Sequence, residues 1–275
     1  MDVLEPTGSV GLPLTGERTL PGIPHENYWF RRHQVVYQFI LDRLADGTVI
    51  EVGCGEGYGS ALLATSARRV LGIDYDALAV EHCARQYPEV DFVRGNLAAL
   101  PVRDGTADAV VSLQVIEHVW DHPQFVRQCL RSLRPGGQFI VSTPNRLTFS
   151  PDNDGTTPPT NPFHTHEFTA VELIRLLVGC GFTDVTLLGL HAGPNLKGLD
   201  DVYGGSFVAA QLTDPPASWP DRLAADVAAV GTGDFVIRVD PGVRGAVAAT
   251  PGSAPDLLSY PDADGSLDLL VIATA

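Results

Sequence analysis

Residues 49–59 read V-I-E-V-G-C-G-E-G-Y-G, and no other stretch constrains the fold as tightly. An apolar run closes on Glu51, then on glycines at 53, 55, 57 and 59. The pattern predicts a buried strand that turns sharply into a helix. Glycine permits backbone angles that a side chain forbids, and it lets a ligand approach the main chain closely. The N-terminus of the following helix presents unpaired N–H groups to such a ligand.

Two familiar ligands are disfavoured. A dinucleotide fingerprint G-x-G-x-x-G counted from Gly53 needs glycine where Tyr58 stands, and counted from Gly55 it needs glycine at Ser60. A phosphate loop needs a lysine directly after its last glycine, and the single lysine of this chain is Lys197. An NAD-type oxidoreductase is therefore the weaker reading.

The rest of the chain alternates. Strands are expected at 48–53, 70–74, 90–94, 109–113, 138–143 and 184–190, with a last strand at the C-terminus. Helices are expected at 59–67, 76–86 and 123–133, and a capping box, T-A-V-E at 169–172, opens another. Such alternation implies a parallel sheet with helices on both faces. Residues 27–44 carry apolar side chains at helical spacing, predicting a helix ahead of the first strand. Residues 1–26 read as a flexible arm, residues 27–275 as one domain, and residues 191–266 as an insertion or lid over its acceptor side. Residues 151–162 form a long loop of the kind that often binds ligands.

Bulk properties narrow the partners. The net charge is -15, which disfavours nucleic acid, because phosphate neutralisation needs basic patches. No apolar run is long enough for a membrane span, no signal peptide is legible, and the expected location is cytoplasmic. The four cysteines, at 54, 83, 129 and 180, lack a C-x-x-C pair and read as reduced, mostly buried thiols. Oligomeric state is not legible.

Ligands of open parallel sheets bind beyond the carboxyl ends of the strands. There the chain shows the glycine turn, then Asp74, which follows Gly53 by 21 residues, then Gly95-Asn96-Leu97, then Leu113-Gln-Val-Ile-Glu-His-Val119, then L-R-P-G-G-Q-F-I-V-S-T-P-N. In that order these stretches resemble the class I S-adenosylmethionine (SAM) methyltransferases of the type 11 group. The resemblance implies a Rossmann-like, doubly wound seven-stranded sheet, parallel with one antiparallel strand, with an N-terminal cap helix and an insertion before the last strand. It implies SAM as methyl donor. Cofactor contacts carried over are Glu51, Gly53, Cys54, Gly55 and Gly57 in the turn, Asp74 for the ribose with Tyr75 next to it, Asn96 and Leu97 for adenine, and Gln114 after the fourth strand. Asn27-Tyr-Trp-Phe-Arg31 resembles a helix that covers the cofactor in some members, which adds Tyr28 and Trp29. It departs from the pattern at His33, where an arginine is usual.

Asn161-Pro-Phe-His-Thr-His-Glu-Phe168 resembles a segment common in methyltransferases of glycan assembly. T-G-E-R-T-L-P, N-Y-W-F-R-R-H and S-T-P-N-R-L-T-F-S-P together resemble mycobacterial methyltransferases associated with 6-O-methylglucose lipopolysaccharides. The expected reaction is O-methylation of a saccharide hydroxyl, with a quinone, phenol or natural product as the alternative acceptor and a non-catalytic SAM-binding protein as a more distant one. A sugar hydroxyl is barely ionised at neutral pH, so a base helps. His118, His164 and His166 are the candidates, expected to converge on one rim. Resemblance to quinone methyltransferases, which carry E-x-x-E-H, makes Glu117 and His118 candidate Mg2+ ligands, although Gln114 replaces the first glutamate. Tyr203, Phe207 and Trp219 are candidate stacking faces for sugar rings.

Overall fold

The computed structural model describes residues 12, 18–242 and 260–275. Its strands are β1 (Thr48–Val52), β2 (Arg69–Asp74), β3 (Asp91–Arg94), β4 (Ala107–Leu113), β5 (Leu133–Pro144), β6 (Thr183–Ala192), β7 (Phe235–Val239) and β8 (Asp268–Thr274). They form one sheet in the order β3-β2-β1-β4-β5-β8-β6-β7. β1 pairs in parallel with β2 and β4, β2 with β3, and β4 with β5, while β8 is antiparallel to both β5 and β6. The expected seven strands are therefore eight. The additional one, β7, comes from the region read as an insertion. Its five residues, F-V-I-R-V, are bounded by Asp234 and Asp240 in a stretch without sustained periodicity, and it takes an edge position beside β6.

The helices are α1 (Asn27–Ile40), α2 (Tyr58–Ala64), α3 (Ala77–Gln86), α4 (His122–Ser132), α5 (Arg146–Phe149), α6 (Ala170–Gly179), α7 (Pro194–Val202), α8 (Phe207–Thr213) and α9 (Asp221–Ala229). Short polar side chains start several of them. Asp76 accepts from Leu78 N to cap α3, Asp121 from Gln124 N to cap α4, and Thr169 and Glu172 form the expected box on α6. α4 buries Phe125, Val126 and Cys129 in the core of the sheet, beside Leu173, Ile174 and Leu177 of α6. Each such side chain contributes roughly 1.5–3 kcal/mol on leaving water. No helix among the described residues is long and apolar enough to cross a membrane.

Two compact units emerge. One combines α1, up to Phe39, with residues 192–236; the other holds residues 40–191 and the return from Ile237. In the first unit, Asn27 Nδ2 donates to the carbonyls of Val227, Ala228 and Val230 at 3.1, 3.0 and 2.8 Å. One amide thus serves the unpaired carbonyls at the end of α9. Tyr28, only 2% exposed, packs edge-on to Phe207 and against Phe235. The insertion is thus not an appendage of the sheet alone: its helices share a core with the helix that precedes β1. Of the expected N-terminal arm, residues 1–11 and 13–17 lie outside the described residues, as do residues 243–259 of the insertion.

Candidate active site

The strand-to-helix turn after β1 has the geometry its glycines imply. Gly53, Gly55 and Gly57 have φ of 81°, 55° and 96°, a region other residues rarely enter. A Cβ on Gly53 would lie 2.5 Å from Val115 Cγ2, so the backbone is drawn against the segment that follows β4. Asp74, at the end of β2, accepts from Gly55 N at 2.8 Å and from Asp76 N at 2.9 Å. It therefore joins the turn to the start of α3. Glu51 is buried and receives a very short hydrogen bond from Ser60 Oγ of α2. Cys54 is a buried packing group: its hydrogen bond with Cys83 and its burial push the thiol well up from its ordinary range.

The sequence reading missed Glu56. This acid sits inside the turn and is 2% exposed. His82 Nε2 lies 2.8 Å from Oε1, the Tyr87 hydroxyl donates to Oε2 at 2.9 Å, and Tyr58 N approaches Oε2 at 3.2 Å. Burial raises its pKa, and the bonds from His82 and Tyr87 offset part of that rise. Cys83 Sγ also donates to Gly55 O at 3.3 Å, and a Cβ on Gly57 would lie 2.8 Å from that sulfur. The signal available in the sequence was an acid among glycines, followed by a helix carrying His82. Glu56→Gln is expected to weaken binding of S-adenosylhomocysteine (SAH), the demethylated product, about tenfold, because a buried charge-assisted bond carries roughly 1.5–3 kcal/mol. Titration calorimetry checks this, with His82→Gln, which keeps a donor, expected to lose less than His82→Leu.

Beyond β2, β3 and β4 lie the other expected contacts. Tyr75 is exposed, with the Arg94 guanidinium 5.6 Å from its ring centre. Asn96 Oδ1 accepts from Ala98 N, shaping the turn after β3, and Leu97 packs partly on the core. Gln114 adopts φ 57° and donates through Nε2 to Ser142 Oγ.

The three histidines do not converge as expected. His118 and His164 meet, with ring centroids 5.0 Å apart. His166 belongs to another group: its ring packs on Phe168 and His122, and Nε2 lies 3.6 Å from Glu172 Oε2. His164 uses both nitrogens, Nδ1 at 2.8 Å from Glu167 Oε1 and Nε2 at 3.0 Å from Asn161 Nδ2. Burial raises the Glu167 pKa, but bonds from His164 and Ser150 outweigh it and leave the acid below its ordinary value. His118 uses one nitrogen: Nδ1 lies 3.0 Å from the Phe163 carbonyl oxygen. Beside it, Glu117 is 1% exposed and accepts from Thr143 Oγ1 at 3.0 Å. Burial pushes its pKa up to about 7, although the charge of His164 draws it down.

The neighbouring segments are stitched together. Thr165 donates from N and Oγ1 to Glu117 O, and from Oγ1 to Val119 O at 2.6 Å. A cavity of about 480 Å³ opens there, bounded by Trp120, Arg146, Asn153, residues 155–159, Pro162 and residues 164–167.

Comparison with known proteins places this geometry. The family described as "Methyltransferase domain" matches residues 50–141, which span β1 to β5. A "Probable S-adenosylmethionine-dependent methyltransferase" of Mycolicibacterium smegmatis is 51% identical over 95% of this chain and 95% of its own length. The chain belongs to the SAM-dependent methyltransferases. A ubiquinone biosynthesis O-methyltransferase of a Methylobacterium species is 35% identical, but over 38% of this chain and 43% of its own. A solved Thermotoga maritima SAM-dependent methyltransferase, described as a possible histamine N-methyltransferase, covers 90% of this chain and 92% of its own. At TM-score 0.56 and 16% identity it shows the shared fold.

For a SAM-dependent methyltransferase the glycine turn fits its donor. Without a Cβ, which at Gly53 would lie 2.5 Å from Val115 Cγ2, the turn packs against the segment after β4, and Asp74 ends β2 where an acid can accept from ribose hydroxyls. SAM supplies a methyl on a sulfonium, a good leaving group, so the protein mainly aligns the acceptor. Tyr28 and Trp29 belong to the other unit, where Tyr28 is a core residue.

Magnesium fits less well. Glu117, His118 and His164 bring one ligand atom each within 4.8 Å of one another. That set is one carboxylate and two imidazoles, whereas magnesium takes oxygen ligands and keeps waters. The position of the missing glutamate is occupied by Gln114, whose amide is already bonded to Ser142. Turnover of the methyltransferase is expected to survive a chelator and to gain nothing from added magnesium, as measured by transfer of a labelled methyl group. Loss on chelation with recovery on magnesium would return Glu117 and His118 to a metal site.

Proposed function

We propose that this methyltransferase transfers a methyl group to a saccharide hydroxyl, with His118 as the general base. The observation that carries the reading is the contact of His118 Nδ1 with the Phe163 carbonyl oxygen. A carbonyl oxygen only accepts, so the contact with Phe163 O keeps the hydrogen on Nδ1 and leaves the lone pair on Nε2. A hydroxyl acceptor needs such a base. His164, with both nitrogens engaged, holds residues 161–167 in place and so positions the Phe163 carbonyl behind His118.

Two features support a saccharide. The segment 161–168 resembles methyltransferases of glycan assembly, and the chain between Asn145 and His166 is rich in hydroxyl, amide and carboxylate groups. The biosynthetic setting proposed is a polymethylated polysaccharide, a methylglucose lipopolysaccharide, made in the cytoplasm. Incubation with labelled SAM and a panel of glucose oligomers, methylglucosides, phenols and quinols tests the reading, with label expected in the saccharides. The second reading is methylation of a quinone or phenol. It is favoured by the similarity to a ubiquinone biosynthesis O-methyltransferase, and label confined to the phenols and quinols would establish it.

A further inference from the structure

Trp120 is the most exposed of the large apolar side chains among the described residues, at 89%. A tryptophan exposed beside a cavity offers a large apolar face to whatever enters it. Its place is specific: Trp120 stands two residues after His118, on the segment that Thr165 ties to the wall of the 480 Å³ cavity. A volume of that size is typical of small-ligand sites.

From these observations we infer that Trp120 and the cavity beside it form a subsite for a second sugar ring, adjacent to the ring that is methylated. The inference rests on the saccharide reading above. A pyranose has a face of C–H groups and a rim of hydroxyls, and the cavity is built in the same two parts. Trp120, Pro158 and Pro162 offer apolar faces, whereas Thr156, Thr157 and His166 offer polar ones. A phenol or quinone is planar, and its oxygens lie only in the ring plane. Such a ring matches the apolar faces and leaves the polar ones unpaired.

The wall is preformed. Asn153 accepts from Gly155 N at 2.8 Å and donates to the carbonyls of Thr157 and Pro158, each at 3.3 Å, and Asp154 accepts from Thr156 N at 2.9 Å. Gly155 lies flat on the buried Arg146 guanidinium: a Cβ there would stand 2.5 Å from Nη1. Arg146 in turn donates to Glu167 O at 3.0 Å and to Glu172 Oε1 at 2.8 Å, while its Nε has no partner. A loop fixed in this way lowers the ordering cost of binding. Of the stacking faces expected in the insertion, Phe207 is a core residue, while the Tyr203 hydroxyl bonds Asp226 and Trp219 Nε1 bonds Asp214 O.

The test is kinetic. Binding energy from a remote ring serves to align the reacting hydroxyl, so oligomers should be preferred to the monosaccharide. For wild type, kcat/KM for a glucose trimer is expected to exceed that for methyl glucoside at least tenfold. In Trp120→Ala this preference should fall at least tenfold, and Trp120→Phe should recover most of it. Quenching of tryptophan fluorescence by the trimer should be lost with Trp120. If saccharides are methylated but the preference is the same in wild type and Trp120→Ala, the subsite is overturned and the saccharide reading stands. If no saccharide is methylated while a phenol or quinol is, both fall.

Discussion

Replacing Asp74 by alanine is expected to weaken SAM and SAH binding by roughly 1.5–3 kcal/mol, about 10- to 150-fold. The loss has two sources in the structure. The carboxylate accepts from Gly55 N and Asp76 N, so its removal leaves without this partner one main-chain donor of the cofactor turn and one at the start of α3. It is also the acid proposed to accept from the ribose hydroxyls. Asp74→Asn separates the two. The amide keeps one acceptor oxygen for the turn, but presents an NH2 group where the second acceptor stood and carries no charge. If holding the turn is the whole role, Asn should restore at least half the lost binding free energy. If the ribose contact dominates, Asn should bind SAH nearly as poorly as Ala. Calorimetry on both variants decides, and unchanged SAH affinity in Asp74→Ala would remove Asp74 from the site.

The part of the fold that holds Asp74 was legible because apolar runs and turn residues alternate there without ambiguity. The runs 48–53, 70–74 and 109–113 became β1, β2 and β4, and the capping box of Thr169 and Glu172 formed as written. Strand β7 was not legible. An edge strand of five residues needs only one neighbour, so its sequence carries little of the apolar excess that marks a central strand. The partnership of α1 with residues 192–236 was equally hidden, because it depends on contacts such as Asn27 with Val227 that join positions 200 apart.

The same distinction runs through the candidate site. Glycines at positive φ follow from local chemistry, and Gly53, Gly55 and Gly57 take it as expected, whereas Gly59 lies inside α2. The roles of the histidines do not follow from local chemistry. His118, His164 and His166 are equivalent in composition and stand on the same side of the strand ends in sequence. What separates them is which nitrogens are already engaged. Asn161 and Glu167, each three residues from His164, saturate it, and Glu172 on α6 draws His166 away. Only the tertiary fold assigns those partners. Glu56 was missed for a related reason: an acid in a glycine turn reads as a spacer until α3 brings His82 and Tyr87 to it.

His118→Ala is expected to lower turnover on a hydroxyl acceptor by about 10²–10⁴-fold, the range a positioned base supplies. SAH affinity should stay within about threefold of wild type, since none of the glycine turn, Asp74 and Asn96 bonds to this imidazole among the described hydrogen bonds. A purely structural histidine would give a different pattern, with loss of stability and no response to added base. Here the deleted ring leaves space next to Phe163 O, and imidazole in solution is expected to restore part of the turnover in proportion to its concentration. His164→Ala should respond differently. Its loss leaves Glu167 buried beside Arg146 without its imidazole partner, so the segment carrying Phe163 loosens and His118 loses the contact that fixes its tautomer. Turnover should then fall without rescue by imidazole, and the melting temperature should fall with it. Near-normal turnover in His118→Ala on a hydroxyl acceptor would show that the acceptor loses its proton to another group, and Glu117, with a pKa near 7 and adjacent in the chain, would be the next to test.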